Sequence, residues 1–142
     1  MTNASHEGGC LCGAIRYRSS KDPVATSQCH CRSCRLAAGA PAVAWAIFPS
    51  DGFGFTAGTP VRHRSSPNVI RTFCGTCGTA LTWQHDEQQD TIDITSATLD
   101  CPDAFAPTRE IWIEQKLAWQ TLDTGLPHYL RSSRDSAPVA TG

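Results

Sequence analysis

Seven of the eight cysteines in this chain fall into three short clusters. The first is Cys10-Leu11-Cys12-Gly13, the second Cys29-His30-Cys31-Arg32-Ser33-Cys34, and the third Cys74-Gly75-Thr76-Cys77-Gly78. Thiolates are soft ligands, and a tetrahedral zinc site takes four ligands, with sulfur at about 2.3 Å. Two cysteines separated by one or two residues on a tight turn deliver two ligands to one ion. Gly13, Gly75 and Gly78 supply the backbone freedom that such turns need. The chemistry written into these spacings is metal binding.

The first and third clusters make a natural pair, because Cys10, Cys12, Cys74 and Cys77 together close a four-sulfur site. That site ties together positions roughly sixty residues apart. Closing a loop of that size restricts the unfolded chain by about 4 kcal/mol on the analogy of a disulfide. Metal binding to a structural site stabilises by on the order of 10 kcal/mol. The middle cluster offers three thiolates, Cys29, Cys31 and Cys34. Three protein ligands with an open fourth position is the pattern of a catalytic zinc. A fourth protein ligand would close it instead, and the candidates are His30 and Cys101. In an extended segment His30 points away from Cys29 and Cys31. Cys101, in Asp100-Cys101-Pro102-Asp103, is a lone loop cysteine, more often a bystander than a ligand. Spacing alone also permits another division of the seven thiols, or free and disulfide-bonded cysteines.

Three thiolates around one dication leave a formal charge of −1. Strong sulfur donation weakens the metal as a Lewis acid, so such a centre suits a substrate thiolate better than hydroxide. The expected chemistry is therefore thiol chemistry at Cys29, Cys31 and Cys34, rather than amide or ester hydrolysis. Arg32 and Arg35 flank the cluster and are placed to offset its charge or hold a substrate carboxylate, with Arg71 as a third candidate. Solvated surface charge is an equally good reading of these arginines.

The elements that must position these residues read as mostly β. Ile92 and Ile94 alternate with Asp93 and Thr95, and Ile15 and Tyr17 with Arg16 and Arg18, the pattern of half-buried strands. Residues 42–48, 69–73, 79–83 and 110–114 are further strand candidates. Turn-rich stretches at 49–59, 65–68 and 100–108 separate them. One short helix is expected from Arg32 to Ala38, capped by Gly39. Many short strands with close turns argue for a sandwich or folded sheet rather than βαβ units.

A chain of 142 residues is a natural size for one domain, expected over residues 8–130, with loose tails at 1–7 and 131–142. No internal repeat interrupts it. A net charge of −1 gives no support to a nucleic-acid partner. The first residues lack a basic segment followed by an apolar run, so no signal peptide is expected. No stretch reaches the roughly 18 apolar residues of a membrane span. The expected compartment is the reducing cytoplasm, where clustered cysteines serve as ligands rather than disulfides.

Other residues carry weaker signals. His6, His63, His85 and His128 are each conceivable general bases, but none sits in a context that singles it out. Trp45, Trp83, Trp112 and Trp119 read as core or pocket wall. Residues 86–90 read as a solvated turn. A zinc nucleobase deaminase is rejected, because it needs a ligand-x-Glu step and a Pro-Cys-x-x-Cys step, and here Phe73 precedes Cys74. There is no P-loop.

The three clusters in this order resemble the glutathione-dependent formaldehyde-activating enzyme family, a domain shared with centromere protein V. The matching pieces run from Gly9-Cys10-Leu11-Cys12-Gly13 through Tyr17, then Cys29 to Arg35 with Gly39, then Arg71 to Gly78 with Leu81. Ile111-Trp112, Trp119 and Gly125-Leu126-Pro127 extend the likeness to about residue 130. The resemblance implies a β-tent fold and two zinc ions per chain, divided between the four-cysteine and three-cysteine groups. It implies a carbon–sulfur lyase that joins glutathione, a small-molecule thiol, to formaldehyde, giving S-hydroxymethylglutathione. Family members often carry His before the Ile-Trp pair, and here that residue is Glu110. The alternative from another class is a non-catalytic zinc module that binds glutathione or a protein partner.

Overall fold

The structure is a computed structural model, described for residues 5–134 and 136–139. The described elements are β1 (His6–Gly9), β2 (Arg16–Ser19), β3 (Ala25–Cys29), α1 (Arg32–Ala38), β4 (Val43–Pro49), β5 (Phe53–Ala57), β6 (Val61–Ser66), β7 (Val69–Phe73), β8 (Ala80–His85), β9 (Thr91–Thr95) and β10 (Glu110–Ile111). These strands belong to two sheets, of three and seven strands. The fold is thus mainly β with one short helix, as the spacing of strand and turn signals predicts. Two compact units divide the chain: Met1–Ala25 with Ala46–Phe105, and Thr26–Trp45 with Ala106–Gly142. No helix among the described residues is long and apolar enough to cross a membrane.

In the first unit, β1, β2 and β5 form the three-stranded antiparallel sheet. Strands β6, β7, β8 and β9 lie side by side, each antiparallel to the next. The alternation in β9 buries Ile92 and Ile94, and that in Ile15–Tyr17 buries both side chains. These meet Phe48, Leu81, Leu99 and Phe105 in one core. Each large apolar side chain buried this way stabilises by roughly 1.5–3 kcal/mol relative to exposure. Tyr17 is fully buried, and its hydroxyl is satisfied by Thr98 Oγ1 at 2.7 Å. Burial raises its pKa to about 12, so it stays neutral.

In the second unit, β10 runs parallel to β3, with Glu110 opposite Gln28 and Ile111 opposite Cys29. Thr26 and Thr108 reinforce the pair, each donating from its hydroxyl to a carbonyl at 2.9 Å. The helix spans Arg32–Ala38, and Gly39 ends it in the left-handed region at φ 63°. Its N–H donates to Arg35 O at 2.8 Å.

Two expectations need correction. Residues 49–59 are not turn throughout: Phe53 and Phe55 alternate with Gly54 and Thr56 to make β5, which pairs with β2. Glycines suggest a turn there, but sheet pairing and the 5.2 Å edge-to-face contact of Phe53 with Phe55 hold a strand. The strand expected at 110–114 stops at Ile111. Trp112 takes the left-handed conformation at φ 57°, and Ile113–Gln115 coil into a 3-10 turn. Strands β1, β3 and β6 have no counterpart in the expected set, and β6 is exposed along its whole length and polar after Val61. The tails expected at 1–7 and 131–142 lie partly outside the described residues. Within them, His6 and Glu7 belong to β1, and Val139 N donates to His128 O at 2.7 Å.

Candidate metal centres

The first centre lies wholly in the first unit. Just after β1 the chain turns, with Gly13 N donating to Cys10 O at 3.1 Å. Just after β7 it turns again, with Gly78 N donating to Cys74 O at 2.8 Å. Gly13 and Gly78 take φ of 80° and 81°, a conformation that costs a side-chain-bearing residue energy. Each turn aims backbone N–H groups at sulfur. Ile15 N reaches Cys10 Sγ at 3.2 Å, and Thr76 N and Cys77 N each reach Cys74 Sγ at 3.4 Å. Such donors favour thiolate over thiol. Leu11 N donates to Thr79 Oγ1 at 3.1 Å and so links the two turns.

The four sulfurs of Cys10, Cys12, Cys74 and Cys77 lie within 4.8 Å of one another. Cys10 Sγ is 3.6 Å from Cys12 Sγ, which is 3.7 Å from Cys74 Sγ. Tetrahedral bonds of about 2.3 Å place sulfurs about 3.8 Å apart, so these residues fit a metal ion. The thiols are electrically uneven. Cys77 is pulled down to about 5, first by the hydroxyl of Thr79 at 3.2 Å and then by backbone N–H groups. Cys12 is pushed up to about 11: the N–H of Ala14 pulls it down, but crowding by Cys10, Cys74 and Cys77 outweighs that. Four adjacent thiolates repel one another, and a bound cation removes that conflict.

The second centre lies wholly in the second unit. Cys29 ends β3, Cys31 caps the helix, and Cys34 is the buried residue of α1. Cys31 Sγ accepts a hydrogen bond from Cys34 N at 3.3 Å, the capping contact that a serine oxygen would normally make. Strand end, cap and first helical turn thus aim three sulfurs at one point, all within 4.8 Å of one another. Cys31 and Cys34 beside it, with burial, push the Cys29 thiol strongly up. Among the described residues no histidine, aspartate, glutamate or further cysteine joins this group. Cys101 is exposed in the first unit, outside both groups.

His30 is fully buried between two of these cysteines, yet its Nε2 meets Glu110 Oε1 at 2.6 Å. Of the arginines, Arg32 and Arg35 sit on α1 beside the three sulfurs, whereas Arg71 is on β7 in the first unit, opposite His63 and Trp83. Arg32 is exposed, and its N–H donates to Gln115 Oε1 at 2.8 Å. Arg35 is half-buried, and its Nε is buried with no hydrogen-bond partner. The other histidines are occupied or exposed. His6 pairs with Asp22 at 2.7 Å, His85 Nδ1 accepts from Glu87 N, His128 Nε2 donates to Asp123 O, and His63 is exposed on β6. Sequence reasoning misses Thr79 and the Glu110–His30 contact. Thr79 lies two residues past Cys77, so its place in the turn was the available signal; Glu110 is eighty positions from His30, and only the fold brings them together.

The class is therefore a mainly β protein whose two cysteine groups could each hold a metal ion. A model of the glutathione-dependent formaldehyde-activating enzyme family matches residues 5–115, and the chain belongs to that family. An uncharacterized lyase of Schizosaccharomyces pombe is 35% identical over 78 residues, which cover 54% of this chain. The match spans 55% of that relative's length. A crystal structure of a Rhodobacter sphaeroides protein shares the fold at a TM-score of 0.57 and 20% identity, covering 66% of this chain and 87% of that one.

Proposed function

We propose that this protein is a zinc-dependent carbon–sulfur lyase acting on a glutathione adduct such as S-hydroxymethylglutathione, with one zinc in each cysteine group. The observation that carries the reading is the three-sulfur group, which no fourth ligand from the described residues completes. Zinc bound there supplies a soft Lewis acid suited to a substrate sulfur. Cys29, Cys31 and Cys34 would hold it, and no further residue among those described would compete with that sulfur. Arg35 is the best placed cation for a glutathione carboxylate, because its buried Nε still lacks an acceptor. Arg32 is a secondary candidate for the same role. In the forward direction the glutathione sulfur adds to the formaldehyde carbon. One C–S bond forms, the C=O double bond becomes single, and the thiol proton passes to the carbonyl oxygen. The four-cysteine group serves structure. A reducing cytoplasm, which keeps all seven thiols available, suits both groups.

The test is the rate at which glutathione and formaldehyde combine in the presence of pure protein. The expected rate rises in proportion to protein and falls to the uncatalysed value in Cys34→Ser. S-methylglutathione, which keeps every carboxylate but cannot offer a thiolate, should bind much more weakly than glutathione. Equal binding of the two would remove the sulfur from the metal and reject the mechanism. Tight glutathione binding without acceleration would make the protein a binding module instead.

A further inference from the structure

We propose that Glu110 is a positioning residue for the three-cysteine centre, acting through His30. The inference rests on a metal being held there, and not on which substrate is used.

Glu110 is 3% exposed and His30 0%. Both oxygens of the Glu110 carboxylate are engaged. Oε1 meets His30 Nε2 at 2.6 Å, and Oε2 accepts from Asp123 N at 2.7 Å. A carboxylate this buried, with each oxygen already tied to a fixed donor, is placed to hold His30 and the Asp123 backbone rather than to meet a substrate. The main chain fixes Glu110 as firmly: its N–H donates to Pro127 O, and its carbonyl accepts from Tyr129 N, both at 2.9 Å. Asp123, the carboxylate's other partner, is held in turn by His128, whose Nε2 donates to its carbonyl at 2.7 Å.

His30 is the one residue between ligands Cys29 and Cys31. Its N–H donates to Ile111 O at 3.1 Å, beside Glu110. Ring and backbone of His30 are thus both tied to β10. With those two points fixed, the torsions that aim the flanking sulfurs have little freedom left. A bond from an ionised group is short, directional and about twice as strong as a neutral one. Residues outside the ligand set commonly tune a metal centre's affinity by fixing how the ligands are oriented. A buried pair of this kind is weak evidence of stability, so its worth here lies in the geometry it fixes. Glu110 does this from eighty positions away along the chain.

The experiment compares native protein with Glu110→Ala and Glu110→Gln. Cobalt(II) or zinc dissociation constants are measured for both centres by competition with a chromophoric chelator. A Cys34→Ser control assigns which constant belongs to which centre. Glu110→Ala should weaken metal at the three-cysteine centre by about tenfold or more, leave the four-cysteine constant within about twofold, and shift the cobalt(II) visible bands of the affected centre. Glu110→Gln, which keeps the shape but makes only neutral hydrogen bonds, should show a smaller, several-fold loss at the same centre. A folded Glu110→Ala protein with native constants and spectrum overturns the proposal, as does equal loss at both centres. If Glu110→Ala does not fold, Glu110→Gln decides on the same two readouts. These measurements use no substrate. A selective metal loss together with a native protein that fails to accelerate the reaction would keep the positioning role and reject the lyase.

Discussion

The two cysteine groups reach similar sulfur clustering by opposite routes. The four-cysteine group joins turns that follow β1 and β7, with Cys12 and Cys74 separated by 62 positions. Cys10 and Cys74 are themselves part of the first unit's core, packed with Ile15, Tyr17 and Leu81. The three-cysteine group is built within six consecutive residues by a strand end, a cap and one helical turn. Its surroundings are polar and hydrogen-bonded, through His30, Glu110 and Asp123. A site that closes a long loop and shares atoms with a core is tied to folding. A site assembled locally, with ligation left incomplete by the described residues, is free to serve chemistry.

That contrast is most directly broken by removing one ligand from each group. Cys74→Ser should abolish cooperative folding, because losing a structural metal site forfeits on the order of 10 kcal/mol, comparable with the whole stability of a domain. Cys34→Ser should retain the native circular dichroism spectrum and a cooperative melt, while metal content falls from two ions per chain to one. Equal collapse in the two variants would erase the distinction between the groups.

A smaller effect sharpens it. Gly78 closes a four-cysteine turn at φ 81°, and Gly39 closes α1 at φ 63°. A Cβ at either position would meet nothing within 4 Å, so alanine costs only the left-handed backbone, about 1–2 kcal/mol. Both variants should melt a few degrees lower by similar amounts. Gly78→Ala should also weaken metal at the four-cysteine group, since its N–H closes the Cys74 turn. Gly39→Ala, five residues beyond Cys34 at the far end of the helix, should leave the three-cysteine metal constant unchanged.

The smallest expected effect is electrostatic and lies in the first unit, at a pair that belongs to neither cysteine group. The Arg16 guanidinium holds the Asp100 carboxyl below its ordinary range, through paired hydrogen bonds at 3.0 and 2.5 Å. A depressed folded pKa means stability that is fully present above the unfolded value, about 3.9, and lost as pH falls through the folded value. Both side chains are more than a third exposed, so screening limits the contribution to under about 1 kcal/mol. Asp100→Asn should therefore lower stability slightly at neutral pH. The difference from native protein should shrink as pH drops below about 4. Following both melts across that range, with metal content monitored, checks the sign.

Local features were legible from residue order. The helix over Arg32–Ala38 with its Gly39 cap follows from propensity and one glycine, and the cysteine spacings follow from turn geometry within a few residues. The strands with alternating apolar residues, such as Thr91–Thr95, announce the face they bury. Contacts across the fold were not legible. Strand β6 shows no apolar alternation and is a strand because β7 pairs with it. Thr79 accepts from Leu11 N only because the turn after β7 comes beside the turn after β1. His30 turns away from the thiols it sits between, as extended geometry predicts, but nothing in the residue order names Glu110 as what it meets. Residue order sets which thiols are available and how each short run presents them. Which runs meet, and which polar side chains surround them, follows from strand register between residues tens of positions apart rather than from torsions within a turn.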